Sequence, residues 1–181
     1  MKKPNYLLII VTIFFLSCED NNCDCNLEVN IGESNGNVIV HKLNPPILIK
    51  HLNSDSIDLD GDSHYDLIFD KMPTPLLSGY GLKTEMRKKL GVQVVLSIVN
   101  AYPDTLAYLT NLNNQENWSD NSDETLILQN YLNRNENKII GNFVIQEKKY
   151  LGVKMGTCFG WVKLTNDKLG ALVIDEYAMM K

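Results

Sequence analysis

From residue 38 onward, apolar residues come in short clusters set between stretches rich in Asn, Asp, Gly and Pro. Many of these clusters are β-branched or alternate with polar residues, the mark of strands rather than helices. Residues 38–40 are Val-Ile-Val, and residues 47–49 follow Pro45 and Pro46, a pair that suits a sheet edge or a turn. Residues 66–69 are short and apolar. Residues 92–99 are apolar on both faces, which predicts a central buried strand ended by Asn100 and Pro103. Residues 110–124 read as a polar loop around Trp118. Residues 143–146 open a run of strands that lasts to the C-terminus, punctuated by Gly152, Gly156, Gly160 and Gly170, with residues 171–179 as its last member.

Two segments carry a double signal. Leu82, Met86 and Leu90 recur at i, i+4 and i+8, and Glu85 stands four before Lys89, which favours a short amphipathic helix. The same stretch also alternates by two. Residues 125–132 fit a helical turn or a strand. The whole pattern predicts an all-β fold: an antiparallel β-sandwich, jelly-roll-like, with at most one short helix. The absence of a repeat of fixed period argues against a propeller or a solenoid.

The longest apolar run lies outside this pattern. Residues 6–16 carry no charge, follow Lys2 and Lys3, and lead into Ser17, Cys18, Glu19 and Asp20. This is the layout of a secretory signal peptide, whose apolar region is about 7–15 residues, short of the about 20 that span a bilayer. The ending Phe15-Leu16-Ser17-Cys18 resembles the lipobox of bacterial lipoproteins. In that family the cysteine becomes the first mature residue and carries the lipid; Phe15 departs from the Leu that the family prefers. Glu19 and Asp20 look like the surface-export signal of Bacteroidota lipoproteins, and the many Asn and Lys residues fit such a source. The resemblance implies a signal peptide at 1–17, a lipidated tether at 18–37 with one short strand at 27–31, and a β-sandwich domain at 38–181. It also implies an outer-membrane protein held by the lipid on Cys18, on the periplasmic or the surface-exposed face.

Charge narrows the partners. The net charge of −5 becomes more negative once Lys2 and Lys3 are removed. An acidic chain with no basic run argues against nucleic acid and against a polybasic membrane-binding face. Membrane contact is expected through the lipid. Of the four cysteines, Cys23 and Cys25 are too close in sequence to bond without a strained ring. Either can reach Cys158 and staple the N-terminal segment to the body, or all three stay free thiols. Zinc is disfavoured, since no second Cys or His pair at zinc spacing accompanies them.

One constellation carries chemistry. Asp58, Asp60, Asp62 and Asp66 occupy positions 1, 3, 5 and 9 of a loop, with Gly61 between them. Calcium takes 6–8 oxygens at roughly 2.3–2.6 Å, and an acid at every second residue can curl carboxylates around one ion. The backbone carbonyl of His64, at position 7, offers another oxygen. The segment resembles the Asp-x-Asp-x-Asp loops of EF-hands, dockerins and integrin-type repeats. It departs from the EF-hand at position 12, where Phe69 replaces the bidentate Glu, and at position 6, where Ser63 replaces Gly. A non-Gly residue in the left-handed conformation costs on the order of 1 kcal/mol. The plain alternative is a solvated Asp-Gly turn. Calcium, if bound here, is expected to be structural.

Other candidates are thin. His41, His51 and His64 are scattered, and the chain has no nucleophile elbow and no phosphate-binding loop. Trp118 can stack on a sugar or cap the core, with the core favoured; Trp161, beside Phe159, reads as core.

The C-terminal third is similar to small secreted bacterial proteins. The residues that carry the likeness are Tyr150 and Gly152, then Gly160-Trp161 with Leu164, then Tyr177-Ala178, behind an Asp-rich loop of the 58–66 type. The resemblance covers roughly residues 55–181, with Gly156-Thr157-Cys158 as a tight hairpin, and implies a secreted β-sandwich with no established activity. The sequence therefore leads to a non-catalytic, lipid-anchored envelope or cell-surface module with a calcium-stabilised loop, contacting a glycan or an envelope protein. The alternative is a glycan-active enzyme or an accessory subunit of an envelope complex. An enzyme of that kind needs paired acids facing each other across a cleft.

Overall fold

Twelve strands, and no helix, form among the described residues of this computed structural model. Those residues are 28–34, 37–76, 79–97, 102–107, 110–133, 138–140, 142–143, 148–166 and 171–181. Residues 1–27, with the expected signal peptide, Cys18, Cys23 and Cys25, lie outside them, as do residues 144–147 of the strand expected to start at Phe143.

The strands are β1 (Val29–Asn30), β2 (Val38–Ile49), β3 (Ser54–Ile57), β4 (Leu67–Leu76), β5 (Gly79–Lys88), β6 (Val92–Val94), β7 (Asn111–Leu112), β8 (Glu124–Asn133), β9 (Lys138–Ile140), β10 (Lys149–Met155), β11 (Cys158–Asn166) and β12 (Leu172–Met180). One five-stranded sheet has the order β2-β12-β11-β10-β6 and the other β3-β4-β5-β8-β9; β1 and β7 form a separate pair. Every pairing is antiparallel. The all-β antiparallel sandwich read from the sequence is the observed architecture. Sequential strands pair within a sheet as β3-β4-β5 and β10-β11-β12, while β2 joins β12 and β6 joins β10 through long connections.

The core lies between the two sheets, where alternation sends every second side chain inward. Phe69 and Met86 from one sheet meet Leu151, Val162 and Ile174 from the other. A second cluster covers the outer face of the first sheet. Here Tyr150, Phe159 and Trp161 pack beneath Val29, Ile31, Leu106 and Leu112. Strand β11 is thus buried on both faces. At Gly160 the approach is so close that an added Cβ would stand 2.2 Å from the carbonyl oxygen of Ala178.

Three sequence expectations are corrected, and one left open is resolved. Residues 82–88 are strand, not helix: β5 pairs with β4 and β8, and its alternate residues Thr84, Met86 and Lys88 are buried. A spacing of four satisfies both periods, and the two flanking strands decided for extension. Residues 125–132 resolve likewise into β8. The stretch that begins at Val92 is an edge strand of three residues, not a central one. Val92 and Val94 are nonetheless buried in the core, and Ser119 fills the open edge: its N–H donates to the Val94 carbonyl at 2.8 Å and its Oγ accepts the Val94 N–H at 3.0 Å. Finally, the region expected as tether up to residue 37 is part of the body from residue 28. Val29 pairs with Leu112, and the N–H of Ile31 donates to the Thr110 carbonyl at 2.9 Å. Both Val29 and Ile31 are fully buried, so residues from 28 belong to the body. Pro45 and Pro46 lie exposed on edge strand β2, where prolines cost no ladder bond.

Candidate metal site

The loop from β3 to β4 holds the acids that the sequence singles out. Leu59, 2% exposed, plugs the loop into the core between acids that face solvent. Asp58 accepts two backbone N–H groups, Gly61 on Oδ1 at 2.7 Å and Ser63 on Oδ2 at 2.8 Å. Asp60 accepts the N–H of Asp62 at 3.1 Å, and Asp62 that of His64 at 2.7 Å. Asp66 closes the loop: its Oδ2 accepts the Leu59 N–H at 2.6 Å, and its own N–H donates to the Ile57 carbonyl at 2.9 Å. Such side-chain-to-backbone bonds coil the chain tightly. Gly61 takes φ +80° and Ser63 φ +71°, so the sixth position adopts the left-handed turn even without glycine.

Asp58, Asp60 and Asp66 each offer an oxygen, and these three lie within 4.8 Å of one another. They grade from exposed Asp60 through half-buried Asp58 to buried Asp66. This trio could hold a metal ion. Asp62 and His64 stand outside it: the Asp62 carboxylate lies 3.3 Å from His64 Nδ1, and both side chains are exposed. The structure thus gathers three of the four predicted acids.

The electrostatics follow from the crowding. Burial pushes the Asp66 carboxyl up to about 6; the Leu59 N–H opposes the shift, and the charges of Asp60, Asp58 and Asp62 add to it. Asp60 is raised by burial and by its neighbours Asp62 and Asp58, with the Asp62 N–H pulling the other way. The phenol of Tyr177, on β12, is raised by burial and by the charges of Asp58 and Asp66. A cation among these oxygens would relieve all three.

The loop forms one wall of an open cleft of about 510 Å³ at the end of the sandwich. Asp60, Asp62 and Leu59 line one side; Ile39, His41, Met155 and Met179 line the other. His41 stacks on Tyr177 at 4.8 Å. Neither Leu59 as plug nor Tyr177 as neighbour was found from sequence. Leu59 reads there as one apolar residue among acids, and Tyr177 lies more than a hundred residues from the loop.

The remaining candidates serve the core. Trp118 stacks on Phe159 at 5.7 Å, donates Nε1–H to the Asn113 carbonyl at 3.0 Å, and carries Lys154 Nζ 5.8 Å above its ring. Trp161 has no exposed surface and meets Tyr150 edge-on. His51 is exposed in a turn. Cys158 is disulfide-bonded, as one of the two cysteine readings required. No family model, no curated protein and no solved structure matches this chain.

Proposed function

We propose that this protein is a lipid-anchored module of the bacterial outer membrane that binds rather than catalyses, with calcium holding the 58–66 loop. The observation that carries this reading is the convergence of Asp58, Asp60 and Asp66 within 4.8 Å, one of them buried. A buried carboxylate among like charges is costly unless a cation offsets it. Calcium suits the site better than zinc or copper, since the ligands are hard oxygens. The His64 carbonyl, Asp62 and water would complete the shell.

The non-catalytic reading draws on the acids at the cleft. Among the described residues both come from one loop, and the facing wall contributes His41, Lys181 and apolar side chains. That is not the paired arrangement that glycoside hydrolysis uses. The anchor rests on the residues before 28: the uncharged run at 6–16 and the lipobox-like ending at Cys18. Two or more acyl chains give stable anchoring at about 0.8 kcal/mol per buried methylene. The ligand class favoured is a glycan or an envelope protein, with no role for nucleic acid.

The test has two arms. Isothermal calorimetry with calcium on the folded domain should show saturable binding that Asp58→Ala with Asp60→Ala removes. Detergent-phase partition of the full chain should be lost in Cys18→Ala. No binding heat at millimolar calcium reduces the loop to a turn; equal partition of variant and wild type removes the anchor.

A further inference from the structure

Cys158 is disulfide-bonded, and the other cysteines of the chain, Cys18, Cys23 and Cys25, all precede residue 28. With Cys18 carrying the lipid, as proposed above, the bond falls to Cys23 or Cys25. Four residues separate Cys18 from Cys23, and six separate it from Cys25. Fully extended, such segments reach roughly 17 Å and roughly 25 Å. A folded body of this size has a radius of gyration of about 15 Å and measures about 40 Å across. The lipid is therefore leashed to the Cys158 sulfur by less than one body width.

The surroundings of Cys158 supply a second observation. Cys158 begins β11, beyond the turn at Gly156 and Thr157, and lines the cleft together with Asp60 and Asp62. The turn at residues 89–91 lies at the same end: Val92 pairs with Met155, and the Lys89 N–H donates to the Asp66 carbonyl at 3.0 Å. Among the described residues, three of the five exposed large hydrophobic side chains gather here: Leu90 at 72%, Tyr65 at 61% and Ile39 at 41%. They project from three separate segments, so local packing does not account for their clustering. Aromatic and aliphatic side chains raised on loops are what a membrane interface accepts.

We propose that the protein stands on its membrane by this end, with Tyr65 and Leu90 reaching the headgroup layer and the cleft opening towards it. The occupant of this surface is the bilayer that holds the chain's own lipid. Exposed Lys89 and Lys181 share the end with Asp60 and Asp62. The contact is mixed in charge, and it works through apolar side chains and the short leash, on neutral lipid as well as anionic. A cleft so placed admits membrane components and small diffusible molecules rather than a large soluble partner. The inference rests on the lipid anchor at Cys18.

The experiment uses the lipidated full-length chain in phosphatidylcholine vesicles that contain lipids brominated near the headgroup. Tryptophan is introduced at Leu90 in one variant and at Leu52 in another. Leu52 is 70% exposed, and its N–H donates to the Lys71 carbonyl, four residues up β4 from the proposed contact end. Over the wild-type background, the indole of Leu90→Trp should lose most of its added emission and shift to the blue, and that of Leu52→Trp should keep it. Adding Cys158→Ser to Leu90→Trp should release the leash and restore emission. Equal quenching at the two positions in vesicle-bound protein overturns the orientation alone. Failure of the wild-type chain to float with vesicles overturns the anchor and the orientation with it.

Discussion

Asp66 Oδ2 accepts the backbone N–H of Leu59 at 2.6 Å, and this bond across seven residues closes the acidic loop on the core. It ties a buried carboxylate to the one apolar plug of the loop. The arrangement puts charge where water is scarce, and it makes the stability of the fold depend on what neutralises that charge.

The first prediction is a pH dependence in metal-free protein. The folded Asp66 carboxyl sits at about 6, above its ordinary value of 3.8. The native state therefore holds the proton more tightly than the unfolded chain between these values. Stability should rise as pH falls from 6 to 4, and fall as pH rises through the same window. The full effect is on the order of 3 kcal/mol. Denaturant midpoints across pH 4–8 in chelator check it, and Asp66→Asn should flatten the profile. A profile equally steep in Asp66→Asn would place the titration elsewhere.

Calcium should offset part of that loss at neutral pH. A ligand of the folded state alone adds RT ln(1 + [L]/Kd), so a site of about 10⁻⁴ M in millimolar calcium adds over about 1 kcal/mol. At neutral pH that raises Tm by about 2–4 °C per kcal/mol. Magnesium should substitute poorly, because it demands a smaller octahedral shell. Asp60→Ala should reduce the calcium shift more than Asp62→Ala, since Asp60 belongs to the trio and Asp62 pairs with His64. Scanning calorimetry with each cation decides it.

Much of this fold could be read from the chain. The β-branched run at residue 38, the prolines at 45 and 46, and the glycine-punctuated C-terminal strands all fell on real elements. Strand signals are local, and here the pleat agreed with them. The failures share one cause. Leu82 and Met86 satisfy two periods at once, and only the neighbours β4 and β8 chose between them. Val92 and Val94 are as apolar as a central strand because they face the core, while Ser119, distant in sequence, takes a neighbour's place at the open edge. Val29 and Ile31 look like tether until Leu112 and Thr110 come to meet them. The acidic loop was legible as a loop, but not its geometry: which acids converge depends on where Leu59 anchors, and that is set by the core.

Lys88 gives a third prediction: alternation places it on the buried face with Thr84 and Met86, whereas its charge alone would send it to the surface. Its side chain has no exposed surface, donates to the carbonyls of Asp120, at 2.6 Å, and Ser122, and lies 3.6 Å from Glu124. The ammonium thus organises the turn before β8. Lys88→Met keeps the stem and orphans both carbonyls, at a cost of about 2 kcal/mol or more. Hydrogen exchange should speed up at the amide of Leu90, which donates to Asp123, and at Gly91, which donates to Asn121. Unchanged exchange there would show that the turn holds without the lysine.

Two glycines should respond unequally. An added Cβ at Gly152 would meet only side-chain atoms of Val95, Leu106 and Leu112, at 2.8–2.9 Å. At Gly160 it would meet a backbone carbonyl at 2.2 Å and the Met179 sulfur at 2.3 Å. Side chains can shift, whereas a paired strand cannot without loss of its ladder. Gly152→Ala should cost about 1–3 kcal/mol and Gly160→Ala more than that. Urea unfolding ranks them, and equal costs would mean that β12 yields as readily as a side chain.

The disulfide at Cys158 should act mainly on the unfolded chain. Its partner precedes residue 28, so the closed loop spans most of the body. In the native state Val29 and Ile31 already fix the N-terminal side, so the bond adds little there. In the unfolded state it forbids the largest excursions. Cys158→Ser should therefore lower stability by about 2–4 kcal/mol. It should also raise the denaturant m value, because the released chain exposes more surface. Wild type unfolded in strong reductant should match the variant in both quantities. A lower midpoint with unchanged m would place the effect in the folded state instead, as strain or lost packing around the outer cluster.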